Sequence, residues 1–215
     1  MVKVPIILRY LWIAGAPKIA IYQTLGLRKL NCNAYLEILA VSPRYNGEYD
    51  LLLERVPYYI VKTPDVICHI EYAISKMFFG NFRTGERVLP IYALFNSINR
   101  ISRAAILICH DPFSGILGYI GKNLFNRPYV LYIHETPLNS SHFVFLEKHI
   151  LANSDVILTV TDKVAKITRK FIKHKKIIPL PPGFPLQIKN IYALVRKVAE
   201  SERKYILTAA RWDPR

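Results

Sequence analysis

ILICHDPFSGILGYIGKNLFNRPYVLYIHET, residues 106–136, reads as strand, helix, strand. Ile106–Cys109 is an apolar run of the length a buried strand needs, and it ends in His110-Asp111-Pro112. Asp111 is placed to cap the next helix through its carboxylate, and Pro112 suits a first helical position, where no N–H is required. From about Pro112 to Phe125 the chain is apolar nearly all round, the pattern of a helix pressed into a core. Gly115, Gly118 and Gly121 recur every third residue and leave one face smooth, so that a sheet or a ligand loop can come close. Asn126-Arg127-Pro128 breaks the helix, and Tyr129–Ile133 is a second apolar strand ending in His134-Glu135-Thr136. Two apolar strands joined by a buried helix predict a right-handed βαβ unit in a parallel sheet. Both strands deliver a histidine and an acid at the carboxyl end, the edge where open α/β sheets bind ligands.

The same alternation runs outward in both directions. Lys3–Leu8 reads as a first strand, Trp12–Pro17 as the turn after it and Lys18–Leu30 as a helix. A strand, a small-residue turn and a helix start can bind an anion; with one glycine, Gly15, a plain tight turn is the other reading. Ala34–Val41 reads as a strand, Ser42–Asp50 as a loop, Tyr58–Val61 as a strand, and Asp65–Phe79 and about Val88–Asn99 as helices split near Gly80. Beyond the central unit, Ser141–Ala152 reads as a helix and Asp155–Val160 as a strand. Thr161 or Asp162 caps a helix to about Ile172, and Lys176–Pro179 is a strand. A turn-rich Leu180–Pro185, a helix over Asn190–Ser201 and a strand at Tyr205–Ala209 complete the pattern. It predicts an α/β, Rossmann-like doubly wound, mostly parallel sheet with helices on both faces.

The chain has 215 residues, 52% of them hydrophobic, enough for one good core or one domain plus a fragment. No run reaches the roughly 18–20 apolar residues of a membrane helix, and no signal peptide is expected. Cys32, Cys68 and Cys109 are odd in number and widely spaced, and read as buried free thiols of a reducing, cytoplasmic compartment. The net charge is +15, and residues 162–215 carry 14 Lys/Arg against 4 Asp/Glu. Two thirds of the excess thus sits in the last quarter, a field that attracts lipid head groups, phosphates or nucleic acid. The histidines lack metal-ligand spacing, so no metal site is expected.

Four segments, in order, carry a family resemblance: HDPFSGILGYIGKNLFNRPYVLYIHE, NSDVILTVTDKVAKI, PPGFP and YILTAARWDPR. Together they resemble the N-terminal half of a family-4 glycosyltransferase of GT-B architecture. Residues 1–184 then correspond to the acceptor-binding domain, and residues 185–215 to a hinge and the first elements of a nucleotide-sugar-binding domain that is otherwise missing. The resemblance implies retaining transfer from a nucleotide sugar, a co-substrate rather than a cofactor, onto a sugar or lipid-linked acceptor in glycan biosynthesis. It implies that His134 faces the reacting sugar, that Gly15 and Ala16 form the loop after the first strand, and that Arg211 pairs with the donor diphosphate once a second domain is present. Alone, such a chain is expected to be inactive, with a second polypeptide as one possible source of the missing domain. The family often has further glycines after its first strand and a glycine where Ala210 stands.

Each candidate has a plainer alternative. A neutral imidazole at His134 can hydrogen-bond a sugar hydroxyl or carry a proton; otherwise it satisfies a loop carbonyl. Glu135 orients His134 or is solvated. His110 reads as a group behind the site. Lys163, Lys166, Lys170 and Lys173 share one side of a helix whose other side holds Val164, Ile167 and Phe171. Either the apolar stripe covers the sheet and the lysines are merely wet, or the helix meets an anionic membrane on the cytosolic face. The leading expectation is a glycosyltransferase half; the rival is a non-enzymatic basic module for nucleic acid or anionic membrane, with nucleic acid not favoured.

Overall fold

The computed structural model describes residues 3–12, 14–42, 45–79, 90–135, 144–173 and 176–181. The chain divides into units Met1–Gly183 and Phe184–Arg215, and everything described lies in the first. The expected helix at 190–201, the strand at 205–209, the split near Gly80 and Arg211 lie outside the described residues.

Seven parallel strands form one sheet: β1 (Lys3–Leu11), β2 (Asn33–Val41), β3 (Tyr58–Ile60), β4 (Leu107–Cys109), β5 (Tyr129–Ile133), β6 (Val156–Thr159) and β7 (Ile177–Pro179). Their order is β3-β2-β1-β4-β5-β6-β7, so strand succession reverses between β1 and β4. This is the Rossmann-like doubly wound sheet, and the reversal is its switch point. Among the described residues the helices are α1 (Gly15–Lys29), α2 (Asp50–Leu53), α3 (Asp65–Phe79), α4 (Ile91–Ser102), α5 (Gly115–Phe125), α6 (Val144–Asn153) and α7 (Asp162–Phe171).

Strand alternation sorts the core onto two faces. Ile6, Leu8, Leu36 and Ile38 pack with Ala20 and Ile21 of α1 and Leu53 of α2. Ile7, Leu39, Leu107, Leu131 and Ile157 pack with residues of α4, α5, α6 and α7. Glu37 interrupts the apolar run of β2 and is fully buried; the Arg100 guanidinium and the Ser97 hydroxyl, both from α4, donate to its carboxylate. A buried charge persists only with such partners.

Several boundaries differ from the sequence pattern, each for a local reason. β1 runs on through Arg9 and Tyr10 to Leu11 because β2 supplies partners as far as Val41. Gly15-Ala16-Pro17 is the first turn of α1 rather than the turn before it, where proline's missing N–H has no role. Within the expected 42–50 loop, Tyr45 and Tyr49 lead into the short α2: Tyr49 N–H donates to the Tyr45 hydroxyl, and the Tyr45 hydroxyl donates to Asp50 Oδ1 at 2.7 Å. α5 starts at Gly115, three residues late, because Asp111 caps a preceding turn: the N–H groups of Phe113 and Ser114 donate to its Oδ1 at 2.7 and 2.9 Å. The three α5 glycines face the sheet, and a β-carbon on them would run into Leu131, Tyr129 and Leu107. At α7 the cap is Thr161, whose hydroxyl accepts from Val164 N–H. Cys109 is buried, whereas Cys32 and Cys68 are only half-buried; all three are free.

Candidate functional site

The site is built at the step between long and short strands. β1 pairs with β4 at Ile6–Ile108 and Ile7–Cys109, then continues four residues past Ile7 alongside β2. That overhang walls a cleft of about 260 Å³ at the carboxyl edge of the sheet. Leu8, Arg9 and Tyr10 line it from β1, Trp12 and Ala16 from beyond β1 and the start of α1, and His110, Asp111 and Phe113 from the end of β4. His134 and Glu135 line it from the end of β5, and Glu147 from α6.

Strand parity brings the two histidines together. Cys109 and Ile133 point to the face of α5, so His110 and His134, one residue on, turn toward the α1 side. His110 Nδ1 and His134 Nε2 are 2.9 Å apart, and the rings lie 22° from parallel. The other nitrogen of His110, Nε2, is 2.9 Å from Gln23 Oε1 of α1. Tyr132, also on that face, presents its ring edge-on to both imidazoles, while its hydroxyl donates to the Leu180 carbonyl at 2.7 Å.

Burial sets the charge state. His110 is 1% exposed, and burial with His134 beside it holds its pKa well below the ordinary histidine value. Burial also lowers His134 to about 4, against a smaller opposing pull from the Asp111 carboxylate. Both rings are therefore neutral near pH 7. Around them the cleft combines aromatic faces with a cation and acids: the Arg9 guanidinium lies 4.3 Å from the Phe113 ring centroid and 5.2 Å from that of Tyr10. Stacking rings plus hydroxyl-bonding polar groups and an uncharged imidazole suit a polar, uncharged ligand rich in hydroxyls.

The sequence candidates fall as follows. His134 lines the cleft, half-buried, and its ring is hydrogen-bonded to His110 rather than to Glu135. Glu135 is exposed at the mouth. Gly15 opens α1; a β-carbon there would meet nothing within 4 Å. Ala16 lines the cleft, and the Tyr49 hydroxyl fixes the preceding loop by donating to the Ala14 carbonyl at 2.7 Å. Lys163, Lys166, Lys170 and Lys173 are all exposed on or just after α7. The apolar side of α7 is occupied: Val164, Ala165 and Phe171 pack on the sheet core. Arg211 is outside the described residues, and no cluster of metal-ligating groups occurs among the described ones. Among these, no helix is long and apolar enough to cross a membrane.

Gln23, Tyr132, Arg9 and the cleft aromatics escaped the sequence pattern. Two had a signal. Gln23 is a polar residue on the Ala16–Ile19–Gln23–Leu27 stripe of α1, and Tyr132 shares the parity of His134.

Residues 36–188 match the model of Glycosyltransferase Family 4. The fold is similar to that of Anabaena HepE in complex with UDP and glucose (TM-score 0.65, 11% identity, 93% of this chain and 50% of that one). It is also similar to sucrose-phosphate synthase from Thermosynechococcus elongatus (TM-score 0.61, 12% identity, 91% and 53%) and to apo UGT2 of Phytolacca americana (TM-score 0.56, 12% identity, 91% and 55%). The chain spans about half the length of these solved structures. No similar sequence stands among curated proteins.

Proposed function

Since this chain belongs to Glycosyltransferase Family 4, we propose that its sheet is the acceptor-binding half of a retaining glycosyltransferase. The cleft at the β1/β4 step holds a sugar-bearing acceptor, lipid-linked or part of a growing glycan, and a nucleotide sugar donates the glycosyl group. Sugar transfer in general is the activity of this family and fold. The observation that supports the finer reading is the neutral histidine pair at the carboxyl ends of β4 and β5, set in a cleft with aromatic walls.

The chemistry of His134 follows from its environment. With its pKa lowered to about 4 by burial, the ring is neutral at pH 7 and keeps one nitrogen free to accept a hydrogen bond. A neutral ring held by a neighbour is suited to hydrogen-bond a sugar hydroxyl and so orient the reacting groups. Gly15 and Ala16 leave the backbone at the start of α1 open to a ligand, and Glu135 at the mouth is a further acceptor for hydroxyls. The donor diphosphate binds beyond the described residues, with the forked guanidinium of Arg211 as partner. A further domain, on the same or a second polypeptide, completes the donor cleft. The nucleotide sugar is the only small molecule required, without metal or cofactor. Exposed lysines on α7 hold the protein at the cytosolic face of an anionic membrane.

The test is ligand-observed NMR with monosaccharides and short lipid-linked sugars, on this chain and on His134→Ala, with circular dichroism as the folding control. Loss of one ligand hydrogen bond is expected to weaken acceptor binding about tenfold at unchanged fold. Equal affinity with a large drop in stability would make His134 structural. Micromolar binding of a nucleotide sugar to this chain alone would contradict the proposal that a further domain is needed to complete the donor cleft.

A further inference from the structure

We propose that Gln23 and His110 are positioning residues that set the tautomer of His134, so that its Nδ1 accepts a hydrogen bond from a ligand hydroxyl. The juxtaposition spans three elements: Gln23 on α1, His110 at the end of β4 and His134 at the end of β5.

The polarity follows by elimination. The Gln23 amide turns its Oε1, which only accepts, toward His110, and in that orientation the 2.9 Å contact requires a proton on His110 Nε2. A neutral imidazole carries one N–H, so His110 Nδ1 is left as a lone pair. The 2.9 Å contact to His134 Nε2 then needs a proton on that nitrogen, which donates to His110. His134 has used its one N–H, and its Nδ1 is an acceptor with no partner among the described residues. Tyr132 cannot reverse the chain, because its hydroxyl is committed to the Leu180 carbonyl. The near-complete burial of His110 keeps water from supplying an alternative partner. One amide on α1 thereby decides whether a group two residues away in the relay donates or accepts.

This deepens the reading of the cleft as a sugar site and rests on it. An Nδ1 acceptor selects a ligand that presents a hydroxyl and disfavours one that presents a carbonyl or ether oxygen. Asp111, the charged group that acts on His134, is held in its own turn by Phe113 and Ser114 N–H.

Long-range proton–nitrogen correlation of the histidine rings at pH 8 reads the tautomers directly, with no sugar present. Wild type is expected to show the Nε2–H form at both His110 and His134. Gln23→Glu leaves an obligate acceptor in the same place and is expected to give the same two tautomers. Gln23→Leu removes the acceptor and is expected to mix both forms at both rings, with the backbone amide spectrum otherwise unchanged. Wild-type rings in the Nδ1–H form, opposite to Gln23→Glu, would overturn the proposal, as would Gln23→Leu rings identical to wild type. Addition of glucose, galactose and N-acetylglucosamine separates the two readings. A shift at His134 Nδ1 that is weakened a few-fold in Gln23→Leu supports both. The expected tautomers with no response to any acceptor sugar support the relay and overturn the sugar site.

Discussion

At the scale of the residue, two histidines held neutral make stability depend on pH. His134 titrates near 4 in the folded chain and His110 is also depressed, while both return to about 6.5 when unfolded. Between these values the unfolded chain binds more protons, so stability rises with pH across that window. The contribution is complete above about pH 6.5 and is lost as pH falls toward 4. Urea midpoints measured from pH 7 to pH 4 should therefore fall, and the fall should be shallower in His110→Gln. A wild-type midpoint flat across the window would mean that the rings are not buried neutral. Asp155 acts in a lower window, since its carboxyl is held below its ordinary value: burial raises it, but Lys122 and Tyr129 N–H outweigh that. One oxygen of Asp155 accepts from Lys122 Nζ at 2.8 Å and the other from Tyr129 N–H at 2.9 Å. The acid that follows Asn153-Ser154 is thus a structural cap on the start of β5.

At the scale of the element, α5 and α1 give opposite answers to the same substitution. Alanine is favoured over glycine in a helix by about 1 kcal/mol. At Gly118 a β-carbon would lie 2.5 Å from Tyr129 Cδ2, and that ring is fixed because its hydroxyl donates to the Ile150 carbonyl at 2.6 Å. Overpacking against a locked ring costs about 1–3 kcal/mol or more, so the clash wins. At Gly26, near the end of α1, a β-carbon would meet nothing within 4 Å. Gly118→Ala is expected to lower the denaturation midpoint, by about 1–2 kcal/mol net, and Gly26→Ala to raise it by about 0.5–1 kcal/mol. Gly118→Ala with unchanged or raised stability would show that α5 does not pack as described. The glycine spacing was legible in the sequence; which surface it met was not, because a smooth helix face fits a sheet and a ligand loop equally well.

At the scale of the whole molecule, charge and topology divide the work. The net charge of +15 favours anionic surfaces. On α7 the apolar stripe is already spent on the core, so membrane attachment there rests on the lysines alone. Binding to anionic vesicles is expected to be reversible and salt-sensitive, about 1 kcal/mol per lysine near the surface, and largely gone at about 0.5 M salt. Replacing Lys163, Lys166, Lys170 and Lys173 by glutamine should release most of it in a sedimentation assay. Equal binding to neutral vesicles, or no effect of salt, would count against attachment by charge.

The sequence by itself determined the parallel α/β sheet, because apolar runs of strand length alternating with helices leave few other packings. It also determined that histidines and acids stand at strand carboxyl ends, since strand ends are marked by local turn chemistry at Asp111-Pro112 and after Ile133. Only the tertiary structure decided that His110 and His134 touch, because that depends on the parity of two strands and on β4 lying next to β5. Only it brought Gln23 to them, across 87 residues of chain, from a helix position that reads locally as a misplaced polar group. The long overhang of β1, which walls the cleft, likewise exists because β2 pairs with it to Val41, a register that no stretch of either strand specifies alone.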